Sequence, residues 1–158
     1  MTVQNFSIYT AKGYEGELVD SGPRVVQTGI LTSATAGFGK ALVRDASVER
    51  GVALGGSANV FAISQREYNH EAGTRPSTGN DTVYRITESV STIRQGYLYV
   101  LVGGDTAVVA GEVMHVDTVT GVFSKSAVAG NVVATTNVTA DESGLVGDII
   151  KIRLDIVA

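Results

Sequence analysis

The chain has 158 residues and no cysteine, so it fits a single domain whose core needs no covalent staple, and disulfides, thiolate zinc sites and cysteine nucleophiles are excluded. Twelve Lys and Arg against 16 Asp and Glu give a formal charge of −4, and with the basic residues scattered singly this excludes a binder that neutralises nucleic-acid phosphates. The beginning has neither a basic start followed by an apolar block nor a span of about 20 apolar residues, so a soluble product without an export signal or membrane contact is expected.

The 19 glycines, with abundant Val and Thr and only two prolines, suit an all-β chain of many tight turns. From Met1 to Asp20, Val3, Phe6 and Ile8 fit a short edge strand that Lys12, Gly13, Gly16 and Glu17 interrupt. The alternative is an extended arm lying on a neighbouring subunit, with Tyr9 and Tyr14 as anchors of large area and few rotors. Residues 21–158 read as one β-domain. Ser21-Gly22-Pro23 turns the chain into the strand RVVQTGIL. The runs Phe38 to Arg44, Val48 to Leu54 and Asn59 to Gln65 predict an antiparallel meander, with Glu49 and Arg50 near the solvent end of their strand.

Tyr68 to Asp81, YNHEAGTRPSTGND, is the longest polar interruption and the first place to expect a binding surface. Its His70-Glu71 pair lacks the second histidine of a helical zinc motif, and Gly73 and Pro76 oppose a helix, so the stretch predicts a solvated loop without a metal. Tyr68, His70 and Arg75, with Arg66 just before them, are candidate partner contacts, the arginines for a partner's carboxylates. The stretch Thr82 to Val102, TVYRITESVSTIRQGYLYVLV, has no proline and one glycine. It predicts a long strand, bent near Gly96 and lying deep in an antiparallel sheet, with the other segments as its partners.

Two short runs, Thr106 to Ala110 and Glu112 to Val116, follow around Gly111. Thr120-Gly121 predicts a hairpin tip between Met114 to Asp117 and Val122 to Lys125. His115 alternates with Val113 and Asp117 and reads as a hydrogen-bonded strand residue. Asn131 to Thr136 predicts another strand, and Thr139 to Glu142 a turn, because Ser143-Gly144 and Gly147 follow where a helix would need an apolar run. In the terminal DIIKIRLDIV, Ile150, Ile152, Leu154 and Ile156 alternate with Lys151, Arg153 and Asp155, which predicts a strand with one core face.

Catalytic patterns fail. Around Gly37-Phe38-Gly39-Lys40, Ala34 stands where a phosphate loop needs its first glycine, and Ala41 where it needs Ser or Thr. Asp105, Glu112, Asp117, Asp141, Glu142 and Asp148 are mostly flanked by Gly, Thr or Ser, the composition of turns, so a glycosidase pair is not expected among them. Asn5, Asn80 and Asn137 head formal glycosylation sequons, which without a secretory signal read as accidents of composition. No catalytic residue, metal or cofactor is expected, and the chain does not read as an enzyme.

The succession FGKALV, GVALGGSANVFAIS, VSTIRQGYLYVLV and VDTVTGVFS resembles the structural cement, or decoration, proteins of tailed bacteriophages. The matching words are Phe38 to Ala41, Phe61 to Ile63, Gly96 to Val100 and Thr120 to Phe123, with Ala62 where the pattern suggests glycine. The resemblance implies a small antiparallel β-barrel or jelly-roll-like sandwich with an extended N-terminal arm. It also implies a homo-oligomer, trimers favoured over dimers, on the outer surface of the mature icosahedral head, bridging adjacent major capsid protein subunits. Such a protein would be found in the host cytoplasm during assembly and then in the virion. On that basis Phe6, Ile8, Tyr9, Tyr14, Arg66, Tyr68, His70 and Arg75 are the partner-binding candidates. The alternative is a β-rich tail or receptor-binding module, with Tyr68 and Asn69 against a glycan.

Overall fold

The structure is a computed structural model that describes residues 13–19, 22–67, 83–126 and 130–156. No helix occurs among them. The strands are β1 (Val25–Leu31), β2 (Ala36–Gly37), β3 (Ala41–Asp45), β4 (Gly51–Leu54), β5 (Ala62–Ser64), β6 (Val83–Tyr84), β7 (Ser89–Leu101), β8 (Val113–Asp117), β9 (Phe123–Ser124), β10 (Val132–Ala140) and β11 (Ile149–Leu154). The all-β class expected from the glycine and β-branched content is the class observed.

Two closed lobes share one strand. β1, β4, β3, β5 and the first half of β7 form a barrel, closed by antiparallel pairing of β1 with β7. The second half of β7, Gly96 to Leu101, pairs with β11 in the register Gly96↔Leu154 to Leu101↔Ile149. From there β10, β8 and β9 follow, and a parallel bridge between Val102 and Phe123 returns β9 to the end of β7. Gly96 sits where the partners change. Its φ of 133° is closed to ordinary L-residues, and this lets a 13-residue strand bend from one lobe into the other.

Each lobe has its own core. Leu31, Phe38, Leu42, Val52, Tyr84 and Val90 pack in the first, where the Tyr84 and Phe38 rings meet edge to face at 5.5 Å. The Tyr84 hydroxyl donates to Gln65 O at 2.6 Å, and burial foremost, with the nearby Glu67 charge second, pushes its pKa well up. Leu98, Val100, Met114, Val116, Phe123, Ile150, Ile152 and Leu154 fill the second. Successive residues of β3 and β5 serve both: Leu42 and Ala62 face the first core, Ala41 and Ile63 the second. At Ala41-Leu42 and Ala62-Ile63 both faces of the strand are buried, which is why apolar residues follow one another there without alternation.

Several expectations are corrected. The stretch from Thr82 does not form one strand: a turn over residues 85–88 divides β6 from β7, with Thr87 at φ 71°, its amide donating to Leu31 O at 2.7 Å, and Arg85 N donating to the Glu88 carboxylate at 2.8 Å. Glu49 and Arg50 lie in the β3–β4 turn and not on a strand, with Arg50 at φ 59°. β10 runs four residues beyond Thr136, through a bulge in its pairing with β8 between Ala134 and Thr139. Asp141 and Glu142 then form the bend expected of the Thr139 region, both amides donating to Lys151 O. Ile156 lies past the end of β11 and is 45% exposed, whereas Ile150, Ile152 and Leu154 are fully buried.

Candidate interaction surface

Residues 13–19 lie along β7 as an added edge. Gly16 N donates to Tyr99 O at 2.7 Å, Tyr99 N to Glu17 O at 3.0 Å and Val19 N to Tyr97 O at 2.9 Å. Arg66 N donates to Gly16 O at 2.7 Å, so the 13–19 segment and the end of the 22–67 segment are held side by side by one hydrogen bond. The side chains converge there as well. The Arg66 guanidinium lies 4.6 Å from the centre of the Tyr14 ring and 5.4 Å from that of Phe38, and Glu15 pairs with Lys40. Tyr14 is 59% exposed, so its outer face is open for contact. Tyr14 and Arg66, distant in sequence, are thus brought together by the fold. Phe6, Ile8, Tyr9, Tyr68, His70 and Arg75 lie outside the described residues, as do Asn69 and two of the three sequons.

The third sequon is structural. Asn137 is 6% exposed; its Oδ1 accepts from Val60 N at 3.0 Å, and its Nδ2 donates to Val60 O at 2.9 Å and Asp155 O at 3.0 Å. An amide nitrogen so engaged has no room for a glycan. His115 does sit on a strand, between Ser124 of β9 and Ala134 of β10, but its Nδ1 is buried without a hydrogen-bond partner among the described residues. No cluster of three or more His, Cys, Asp or Glu able to hold a metal occurs among the described residues.

A second surface feature was not anticipated. A cleft of about 510 Å³ opens beside β1, between Gln27 to Gly29 on one side and Arg44 and Glu49 to Val52 on the other, with Phe61, Thr92 and Arg94 at its base. Arg44 and Arg50 are exposed, and no carboxylate lies within 4.0 Å of either among the described residues. Arg94 is held flat, its guanidinium 4.4 Å from the Phe61 ring centre and Nη1 donating to Gln27 Oε1 at 3.4 Å. Its Nε is buried without a hydrogen-bond partner among the described residues. The adjacent Asp45 stays charged but is not part of the lining: its carboxylate accepts from the Ser47 hydroxyl and amide, and these bonds, the hydroxyl's first, hold its pKa below the ordinary value. The signal in the sequence was Arg94, a charge in the middle of an apolar strand run. Arg44 and Arg50 carried none.

Two ion pairs lie on the surface of the second lobe. Lys151 Nζ meets Asp141 at 2.6 Å and Lys125 meets Glu112 at 2.8 Å; the first raises the Lys151 pKa and the second lowers that of Glu112.

A family model described as structural cement protein (E217 gp24/Pam3 gp6) matches residues 2–155. Among solved structures, a chain from the capsid of Myoviridae phage XM1 superposes with a TM-score of 0.69 at 16% identity, covering 96% of this chain and 95% of that one. The head fiber gp8.5 N base of bacteriophage phi29 gives a TM-score of 0.45 at 9% identity over 84% of this chain and 95% of that one. No curated protein matches the chain.

Proposed function

Since the chain belongs to the phage structural cement proteins, we propose that it binds the outer surface of the mature icosahedral head and stabilises it by bridging adjacent major capsid protein subunits. The match over residues 2–155 is the observation that carries this reading. The fold suits such a role, because two lobes built on one strand give a rigid body with surfaces facing different directions. It acts as a homo-oligomer, trimers favoured over dimers, and repeated placement over a symmetric shell lets a modest interface per copy hold through avidity. Its role is structural and not enzymatic, and its place is the virion after assembly in the host cytoplasm.

The contacts we assign are the N-terminal arm, through Phe6, Ile8, Tyr9 and Tyr14, and the loop bearing Tyr68, His70 and Arg75, with Arg66 between them. Tyr14 and Arg66 support this assignment, since they stack on each other close in sequence to both segments and Tyr14 is 59% exposed. The test is to mix the protein with undecorated heads and to count bound copies by mass spectrometry and by microscopy of the shell. Regularly placed copies on the outer surface and heads that survive greater heating are expected. Deleting residues 1–12 should leave the fold melting cooperatively while occupancy is lost. Heads left bare by the full chain would overturn the reading, and undiminished binding of the shortened chain would overturn the role of the arm.

A further inference from the structure

We propose that the cleft lined by Arg44, Arg50 and Arg94 seats an extended, carboxylate-bearing segment of the capsid partner, which adds as a strand alongside β1; this rests on the capsid-binding reading above. Pairing between β1 and β4 is confined to Ile30↔Gly51 and Leu31↔Val52, so the part of β1 before Ile30 has no strand on that side among the described residues. Backbone direction alternates along a strand. Ile30 N donates to Arg50 O at 2.9 Å on the β4 side, whereas Leu31 N donates to Glu88 O at 3.0 Å on the other. By the same alternation Thr28 and Val26 turn their amide and carbonyl groups toward the open side, along the wall of the cleft. An open edge of this kind takes an extended peptide by main-chain hydrogen bonding.

The charge of the cleft specifies the peptide. Three guanidinium groups face one carboxylate, Glu49, in the lining. Arg94 is the pre-organised member: stacked on Phe61 and tied to Gln27, it holds a donor fork whose Nε has no acceptor among the described residues. A planar fork fixed in this way matches a carboxylate in two-point geometry. Arg44 and Arg50 stand exposed at the rim, where they would attract and align an acidic chain. On the same strand Val26 and Ile30 are 43% and 37% exposed, offering apolar cover to alternate side chains of the incoming segment. The molecule as a whole carries a formal charge of −4, so a densely charged nucleic acid is repelled by the surface around the cleft far more than a short segment bearing a few carboxylates.

The probe is a blocked octapeptide of alternating Glu and Val, titrated into the 15N-labelled full chain, with an alternating Lys and Val octapeptide and inorganic phosphate as comparators. The acidic peptide should shift the Val26 and Thr28 amides and the Arg94 Nε–H, and bind more weakly as salt rises. The lysine peptide should do neither. R44E/R50E, altered only at exposed positions and checked for an unchanged melting transition, should lose on the order of tenfold in affinity for the acidic peptide. Equal binding by that variant, or shifts confined to other surfaces, would overturn the proposal. So would phosphate moving the arginine signals while the acidic peptide leaves Val26 and Thr28 still, because the cleft would then be an anion pocket without strand addition. The same variant is then mixed with undecorated heads: occupancy reduced beside a binding wild type supports the assignment to the capsid. Full occupancy by the variant would overturn it and leave the capsid-binding reading intact, whereas a wild type that ignores the heads refutes that reading instead.

Discussion

Replacing Asn137 with alanine removes one side chain and strands three main-chain groups. The Asn137 amide serves Val60 N, Val60 O and Asp155 O, and Val60 is itself 2% exposed, so its two groups are poorly placed to find water in exchange. A net hydrogen bond contributes about 1 kcal/mol, but a buried N–H left without an acceptor costs about 1–3 kcal/mol. With the two carbonyls added, Asn137→Ala should destabilise the protein by about 3 kcal/mol, lowering the melting temperature by roughly 6–12 °C for a domain of this size. Urea titration and calorimetry measure both. Asn137→Asp sharpens the test. A carboxylate there still accepts from Val60 N but faces two carbonyl oxygens, so ionisation is disfavoured and the folded pKa rises. A raised pKa stabilises the fold fully below the unfolded value of about 3.9 and loses that contribution as pH climbs through the folded value. Relative to wild type, the variant should therefore be more stable at pH 4 than at pH 7. A loss below about 1 kcal/mol for alanine, or a pH-independent difference for aspartate, would refute the bridging role.

Three further outcomes are expected. At Gly121, φ is 67° and an added Cβ would lie 2.6 Å from Ala41 O, where the 118–121 turn docks on the first lobe; left-handed strain of about 1–2 kcal/mol and overpacking of about 1–3 kcal/mol should make Gly121→Ala lose about 3 kcal/mol by denaturant titration, and a near-neutral variant would discount the docking. Burial alone would raise the pKa of the Asp117 carboxyl, but the amides of Thr120 and Val119, at 2.8 and 2.7 Å, outweigh it and hold the pKa below 3.8. Its stabilisation is present above the unfolded pKa and fades as pH falls below about 4, so stability-versus-pH curves of wild type and Asp117→Ala should converge in acid, and parallel curves would contradict this. Ending the chain before Ile149 removes Ile150, Ile152 and Leu154, all fully buried; at about 1.5–3 kcal/mol each this rivals a total stability of about 5–15 kcal/mol, and a truncated protein that still melted cooperatively would refute the role of β11.

What could be read from the residues follows from how one-sided their burial is. The alternation of Ile150, Ile152 and Leu154 was legible because β11 has one wet face, and the hairpin tip at Thr120-Gly121 because its turn chemistry is local. The centrality of β7 was legible from its run of β-branched and aromatic residues. β6 was not separable from it, since the turn at 85–88 depends on Leu31, far away in sequence. Ala41-Leu42 of β3 and Ala62-Ile63 of β5 gave no facing direction, because neighbouring residues there enter two different cores. Of the interaction surface, Tyr14 and Arg66 were found singly, and their stacking is a product of long-range closure. The arginine cleft draws on the β3–β4 turn and the middle of β7, and no local pattern unites those positions.

The shared strand has a mechanical consequence. Because β7 runs unbroken from one lobe into the other through Gly96, tension applied between the lobes travels along peptide bonds and not across a side-chain seam. The rungs it shares with β11, from Gly96↔Leu154 to Leu101↔Ile149, are then loaded in shear. They must slip together, where a ladder pulled from one end would unzip rung by rung. Resistance to a steady pull is set by how slowly such a unit gives way, and this geometry makes that event collective.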